Sequence, residues 1–267
     1  MDHVIEVSPS SAYLYLWRGC ALVVGPGIDS KLHSHFATQL TVALDQPFRT
    51  RFSEQDAWTE TKAAIFASNQ LHQIDSAGLL AHLFIEGLQR GPGDVSILQA
   101  KYADNVDFDG VRAALRYACK GTPDMEAVAQ LVRGWLDLAF PDNAAQTAFD
   151  PRIAQTLEWL AQQTQLDHTG EELAARVHLS TSRFTHLFRQ QTGLSLTRYL
   201  LWSRLLTAVA VVAQGANTTA AAHQAGFADL AHMSRTFRQT FGVMPSELQK
   251  MTIAFKRDAL TDANMTV

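Results

Sequence analysis

The sequence predicts an α+β chain: a strand-rich N-terminal part, a helical middle, and an all-α C-terminal part holding two helix-turn-helix units joined by a long helix. Two observations predict it. Short apolar segments separated by Gly/Pro turns fill residues 1–106, the pattern of a small barrel or sandwich. One helical pattern, with a matched cap and a matched closing glycine, then occurs twice between residues 180 and 242. Charge divides along the same line. Residues 1–149 hold 11 Lys+Arg against 17 Asp+Glu, a balance of −6, whereas residues 150–267 hold 11 against 9, a balance of +2. The expected units are 1–106, 107–149, 150–251, and a loose tail over 252–267.

At 267 residues the chain is long enough for two domains, and 47% apolar with 18% charged residues is the composition of an ordinary globular protein. The start, Met1-Asp-His-Val-Ile-Glu6, lacks the basic segment and apolar core of a signal peptide, so a cytoplasmic protein is expected. No apolar run approaches a membrane span, so no membrane partner is expected. Cys20 and Cys119 stand far apart in no metal or redox spacing, as free thiols do.

In the N-terminal part, Ala12–Trp17, Cys20–Val24, Gln39–Leu44, Ala63–Phe66 and Leu79–Ile85 read as strands. Gly25-Pro-Gly27, Asp45-Gln-Pro47, Ser76-Ala-Gly78 and Gly91-Pro-Gly93 read as turns between or beyond them. Within this frame His33-Ser-His35 precedes Gln39, and His72 follows about one hairpin later. Two residues apart on a strand, His33 and His35 face the same side. The spacing is similar to a cupin motif, in which two histidines, a glutamate and a later histidine ligate a metal. Gln39 stands where the glutamate would be, and the second motif survives only in part as Ala67-Ser-Asn-Gln-Leu-His72. Neutral imidazoles suit divalent transition metals, while an amide oxygen is a poorer ligand than a carboxylate. The reading therefore has two branches: a metal or polar-ligand site at His33, His35, Gln39 and His72, or hydrogen-bonded histidines in a fold that has lost its metal. His82, in the strand Leu79–Ile85, reads as a satisfied core histidine.

In the middle, Val111–Cys119 and Met125–Phe140 read as amphipathic helices, the second with Val128, Leu131, Val132, Trp135, Leu138 and Ala139 along one stripe. Two roles stay open for them, dimerisation and covering an open face of the strands. Pro141–Ala148 is polar, without strong periodicity, and reads as the linker.

The C-terminal part opens on Asp150-Pro151, which caps a helix to about Gln163. Glu171–Val177, a turn at His178-Leu179 and the cap Ser180 lead into a helix closed by Gly193. Ser195 caps a long helix from Leu196 to about Gln214. Thr218–Ala225, a turn at Gly226-Phe227 and the cap Asp229 lead into a helix closed by Gly242. Phe184, Leu187 and Phe188 share one face of the first capped helix, and Met233 and Phe237 share one face of the second. Helix, tight turn and capped second helix is a plan whose second helix enters the DNA major groove. The long helix, roughly 28 Å at 1.5 Å per residue, suits two readers placed about one DNA turn apart, roughly 34 Å.

Residues 150–250 resemble the DNA-binding domain of AraC/XylS-type transcription regulators. The resemblance rests on Glu172-Leu-Ala-Ala175, Leu187-Phe-Arg-Gln-Gln-Thr-Gly193, Ala225-Gly-Phe-Ala-Asp229, His232-Met-Ser-Arg-Thr-Phe-Arg238 and Phe241-Gly-Val-Met-Pro-Ser246. It implies a sequence-specific, ligand-responsive regulator, with activation favoured. It further implies a cupin-like effector-sensing domain over 1–106, dimerisation through 107–149, double-stranded DNA and a small-molecule effector as partners, and RNA polymerase as a contact of an activator. The competing reading is a metal-dependent cupin enzyme with an appended DNA-binding module; non-enzymatic function is expected.

The DNA-facing candidates are Ser182, Arg183, Thr185, His186 and Arg189 in the first reading helix, and Ala231, His232, Arg235 and Arg238 in the second. Matching to the family's motif favours Ser182, Thr185, His186, Ala231, His232 and Arg235 for the groove. Arg235 offers bidentate contact to guanine O6 and N7; an Arg–phosphate clasp and an ion pair with Asp229 are the alternatives. Two departures stand out. His178 occupies a turn position where the family often has glycine, and the long helix is poorer in arginine, although Arg204 is present. Trp202 reads as a packing residue.

Overall fold

The structure is a computed structural model and describes residues 12–17, 20–27, 31–85, 108–118, 125–139, 150–163, 166–192, 194–241 and 244–255. Nine strands are described: β1 Ala12–Trp17, β2 Cys20–Pro26, β3 Thr38–Ala43, β4 Phe48–Arg51, β5 Thr59–Thr61, β6 Ala63–Phe66, β7 Gln73–Asp75, β8 Leu79–Ile85 and β9 Met251–Phe255. Eight α-helices are described with them: α1 Phe108–Ala118, α2 Met125–Ala139, α3 Pro151–Ala161, α4 Gly170–Arg176, α5 Thr181–Thr192, α6 Leu196–Ala213, α7 Thr218–Gln224 and α8 Leu230–Phe241, followed by a 3-10 turn over Pro245–Lys250.

The strands build two open sheets, one of six strands in the order β6-β3-β8-β2-β1-β9 and one of three in the order β5-β4-β7. All five expected strands are present within a residue or two of their expected ends. Of the small barrel or sandwich expected, the described strands form two open sheets and no closed barrel. Strands β4, β5 and β7 escaped the sequence reading because Phe48-Arg-Thr-Arg51, Thr59-Glu-Thr61 and Gln73-Ile-Asp75 are short and largely polar, with little apolar signal to read.

Side-chain alternation along the strands makes the six-stranded sheet a central layer. One face carries Tyr15, Trp17, Leu22, Leu40, Leu83 and Ile85, packed against α1 and α2 through Leu115, Val128, Val132 and Trp135. The role of covering a sheet face is therefore realised by α1 and α2. The buried stripe of α2 is Val128, Ala129, Val132, Trp135, Leu136 and Ala139. Leu138, expected on that stripe, is 45% exposed.

The opposite sheet face is shared. Toward β3 and β6, Ala43, Ala64, Phe66 and Leu80 meet Phe48 and Ile74 of the small sheet. Toward β1, Leu14, Leu16, Ala21 and Phe84 meet Trp202, Leu205, Val209, Phe237 and Phe241 of the second helical unit. Trp202 donates its Nε1–H to the Trp17 carbonyl at 2.7 Å across this junction.

The chain end reinforces the junction. Residues 252–255, expected to be loose, form most of β9, which runs parallel to β1 in the register Ala12↔Met251 to Leu16↔Phe255. Met251 and Ile253 pack on the same cluster as Trp202, so the strand is held by apolar burial as well as by its ladder. Residues 256–267, the expected linker 141–148, Gly193, Gly242 and Cys119 lie outside the described residues.

The first helical unit has its own core: Ile153, Leu157, Leu160, Leu173, Phe184, Phe188, Leu196 and Tyr199. Helix α6 joins both cores. Leu196, Tyr199 and Leu200 serve the first, and Trp202, Leu205, Leu206 and Val209 serve the second. Burial from several sides explains why α6 is apolar around most of its circumference. By length and composition alone it would be long and apolar enough to cross a membrane, which corrects the expectation that no such run exists; here 56% of it is buried inside the protein.

Candidate functional site

Each helix-turn-helix unit is fixed by local hydrogen bonding. Thr169 and Glu172 form a reciprocal capping box at the start of α4, and the Asn217 side chain accepts from the Ala220 N–H at 2.9 Å at the start of α7. Both turns then close alike. Leu179 N–H donates to Ala174 O at 2.9 Å, and Phe227 N–H donates to Ala222 O at 3.0 Å. The residue before each donor sits in the left-handed region, His178 at φ 55° and Gly226 at φ 76°, as this helix-ending motif requires. His178 thus occupies a position suited to glycine. Gly226→Ala is expected to destabilise by about 1–2 kcal/mol, purely through the backbone, since an added Cβ would meet only Arg204 Nε at 3.8 Å. His178→Gly is expected to stabilise by up to about 1 kcal/mol. Urea unfolding of both variants checks the pair; a stabilising Gly226→Ala would contradict the assignment.

The reading helices begin at matched caps. Ser180 Oγ accepts from Arg183 N–H at 3.3 Å, and Asp229 Oδ1 accepts from His232 N–H at 2.6 Å. Inward faces carry Phe184, Leu187 and Phe188 in α5, and Met233, Thr236, Phe237, Thr240 and Phe241 in α8. Outward, Ser182, Arg183, Thr185, His186 and Arg189 are all exposed. Ala231, Arg235 and Arg238 are exposed in α8, and His232 is half-buried with its ring 5.3 Å from Phe227. Spacings of four and seven put Ala231, Arg235 and Arg238 on one helical face, and Ser182, His186 and Arg189 on the matching face of α5. Thr185 Oγ1 donates within α5, to Thr181 O at 3.0 Å or Ser182 O at 3.1 Å, which leaves its lone pairs outward. Among the described residues Arg235 makes no ion pair; Asp229 serves as the cap of α8 instead.

A second constellation lies at the seam between the small sheet and the second helical unit. His33 and His72 exchange backbone hydrogen bonds, His33 N–H to His72 O at 3.0 Å and His72 N–H to His33 O at 2.9 Å, so their side chains project together. His33 and His35 precede β3, which starts at Thr38, and their rings lie 5.7 Å apart. His72 is 4.5 Å from His33 and 5.0 Å from His35, ring to ring. Phe66 stacks on His72 at 4.2 Å, and Phe84 meets His35 edge-on at 5.3 Å.

Gln39, on β3, places its amide oxygen 2.7 Å from His35 Nε2. The other end lies 2.9 Å from Thr41 Oγ1 and 3.0 Å from His82 Nδ1. Gln39 therefore links His35 to His82, which is hydrogen-bonded as expected. Burial lowers the pKa of all four histidines, to about 4 for His35 and His82 and about 3 for His72, with like-charge repulsion adding at His72 and His82. The imidazoles are accordingly neutral near pH 7, the ligating form. Cys20, also buried, has its thiol pushed up to about 12 by desolvation and is chemically inert.

Sequence reasoning missed Phe36 and Arg198. Phe36 donates its backbone N–H to Gln239 O of α8 at 2.8 Å, and the Arg198 guanidinium lies 3.6 Å over its ring. A lone aromatic in a loop carries no signal for such a contact.

Comparison with known proteins places the domain. Residues 173–251 match the family model described as a helix-turn-helix domain. The HTH-type transcriptional activator RhaS of Klebsiella pneumoniae is 33% identical over 102 residues, 38% of this chain and 37% of that protein. The transcriptional activator RhrA of Rhizobium meliloti is 36% identical over 77 residues, 28% of this chain and 24% of that protein. The chain thus spans well under half the length of these curated relatives. Among solved structures, ToxT of Vibrio cholerae is similar over 87% of this chain and 98% of its own, at 11% identity and a TM-score of 0.49. Matched family model, paired caps and paired turns agree: residues 173–251 form a helix-turn-helix domain similar to part of these transcriptional activators.

Proposed function

We propose that the protein is a sequence-specific, DNA-binding transcription regulator that reads two adjacent major grooves with α5 and α8. The observation that carries this reading is the pair of capped helices with equivalent exposed faces, Ser182/His186/Arg189 and Ala231/Arg235/Arg238, joined by α6. The relatives are named as transcriptional activators, which supports activation and a non-enzymatic reading over a metal-dependent cupin enzyme. The resemblance supplies the remaining parts: a cupin-like sensor over 1–106 with its own effector, α1 and α2 as the linker region over 107–149, a homodimer in the cytoplasm, and contact with RNA polymerase.

Selection of duplexes by the full chain from a randomised pool tests the reading. A bipartite consensus with its two halves about 10 bp apart is expected for one chain, repeated if the chain dimerises. Affinity for the selected duplex should fall steeply with salt, because phosphate contacts release counterions. Enrichment of no consensus, with salt-insensitive retention, would refute the regulator reading.

A further inference from the structure

We propose that His33, His35 and His72 form a site for one divalent first-row transition-metal ion, and that its occupancy sets the placement of α8. The second half rests on the reading of α8 as a DNA-contacting helix.

The hydrogen bonds of the three rings point to this ligand class. His33 Nδ1 lies 2.8 Å from Lys31 O, His35 Nδ1 lies 2.9 Å from Ala37 O, and His72 Nδ1 lies 2.9 Å from Gln70 O. A carbonyl oxygen only accepts, so the Nδ1 of His33 and of His72 carries the proton and each of these neutral rings keeps its lone pair on Nε2; His35 Nε2 instead faces the Gln39 amide oxygen at 2.7 Å. Imidazoles held by backbone carbonyls at Nδ1, as His33 and His72 are, make the arrangement that orients histidine ligands toward a metal.

One ring nitrogen from each histidine lies within 4.8 Å of one from each of the others. Three nitrogens about a tetrahedral zinc stand roughly 3.3 Å apart, from Zn–N distances of about 2.05 Å, so small ring rotations close the set. His72 Nε2 is buried without a hydrogen-bond partner, and Phe66 and Phe84 wall the cluster with apolar rings. Converging lone pairs call for an electron-pair acceptor. An all-imidazole set selects zinc, copper, nickel or iron over magnesium and calcium. Gln39 stands outside the triad: its amide oxygen lies 2.7 Å from His35 Nε2, a contact that a metal on His35 would displace.

The site is built into the contact with α8. Phe36, between His33 and His35, donates to Gln239 O, one of the last four carbonyls of α8 that lack an intrahelical donor. Phe84 touches His35 on one side and the Phe241 ring, at 6.1 Å, on the other. Drawing His33, His35 and His72 together therefore moves or pins the loop that caps the C-terminal turn of α8.

Equilibrium dialysis of the full chain against Zn(II), with Co(II) as a coloured substitute, tests the site. One ion per chain is expected, and His33→Ala and His72→Ala should each weaken uptake by at least about 10- to 100-fold. Should His72→Ala fail to fold, the half-buried His33 keeps the test decisive. A folded chain that takes up no metal, or uptake indifferent to both substitutions, would overturn the site. Coupling is read first without DNA, by hydrogen exchange: amides of residues 238–241 should slow on Zn(II) loading. Unchanged exchange at full occupancy would overturn the coupling. Affinity for the selected duplex should then shift about 5- to 150-fold on loading. Slowed exchange in a chain that binds no duplex, with or without metal, would refute the reading of α8 while leaving the site intact.

Discussion

Trp202→Ala is expected to lower the unfolding free energy of the full chain by about 3–5 kcal/mol, the usual loss for emptying a large aromatic site in a core. The indole is 1% exposed. It fills the space between α6 and the central sheet, 5.2 Å from the Phe241 ring and in one cluster with Leu14, Leu16 and Phe84. Its removal leaves a cavity walled by a sheet on one side and a helix on the other, two elements that cannot both collapse inward. It also strips the Trp17 carbonyl of its donor. Trp202→Phe separates the two contributions, since it keeps most of the apolar volume and loses only the N–H; a cost of about 1–3 kcal/mol is expected for the unmade hydrogen bond. Urea unfolding followed by circular dichroism measures both. A loss under about 1 kcal/mol for Trp202→Ala would mean that the second helical unit is not packed on the sheet.

That junction marks the limit of what the sequence discloses. Trp202 reads as a packing residue, and so it is, but nothing local says that its partner lies some 185 positions away at Trp17. Periodicity reports which face of an element is apolar, not which surface meets it. For the same reason 150–251 reads as a self-standing unit, whereas the apolar face of α6, α7 and α8 continues into Leu14, Leu16 and Phe84. Met251–Phe255 lacks any local strand signal strong enough to stand out and becomes β9 only because the edge of β1 is there to pair with it. What local chemistry governs is legible to within a few residues: the caps at Asp150, Ser180, Ser195 and Asp229, the left-handed turn at Gly226, and the inward faces of α5 and α8. The histidine cluster falls between these cases. Spacing brings His33, His35 and His72 to notice, yet the backbone carbonyls beside each Nδ1 become visible only in the fold.

Arg235→Ala is expected to cost about 1–3 kcal/mol on the selected duplex and to flatten discrimination at one base pair, while preference at other positions persists. The structure removes one competing account. Among the described residues Arg235 has no ion-pair partner, because Asp229 is committed to the His232 N–H as the cap of α8. An exposed arginine without such a partner contributes little to folding, so the thermal midpoint of Arg235→Ala should match that of the parent chain. Two roles then remain, and they separate cleanly. A guanidinium held on a guanine edge acts through its planar fork, so Arg235→Lys, which keeps the charge and loses the fork, should lose most of the discrimination as well. A phosphate clasp depends on charge: lysine would largely restore it, alanine would weaken all sequences alike, and the slope of log affinity against log salt would fall by about one. The equivalent position in α5 is His186, exposed and shorter. If reading by α8 is the stronger of the two, His186→Ala should cost less than Arg235→Ala and should affect the other half of the bipartite consensus. Uniform weakening by Arg235→Ala across a randomised library, rescued by lysine, would assign this side chain to the DNA backbone and move base reading to Ala231 and His232.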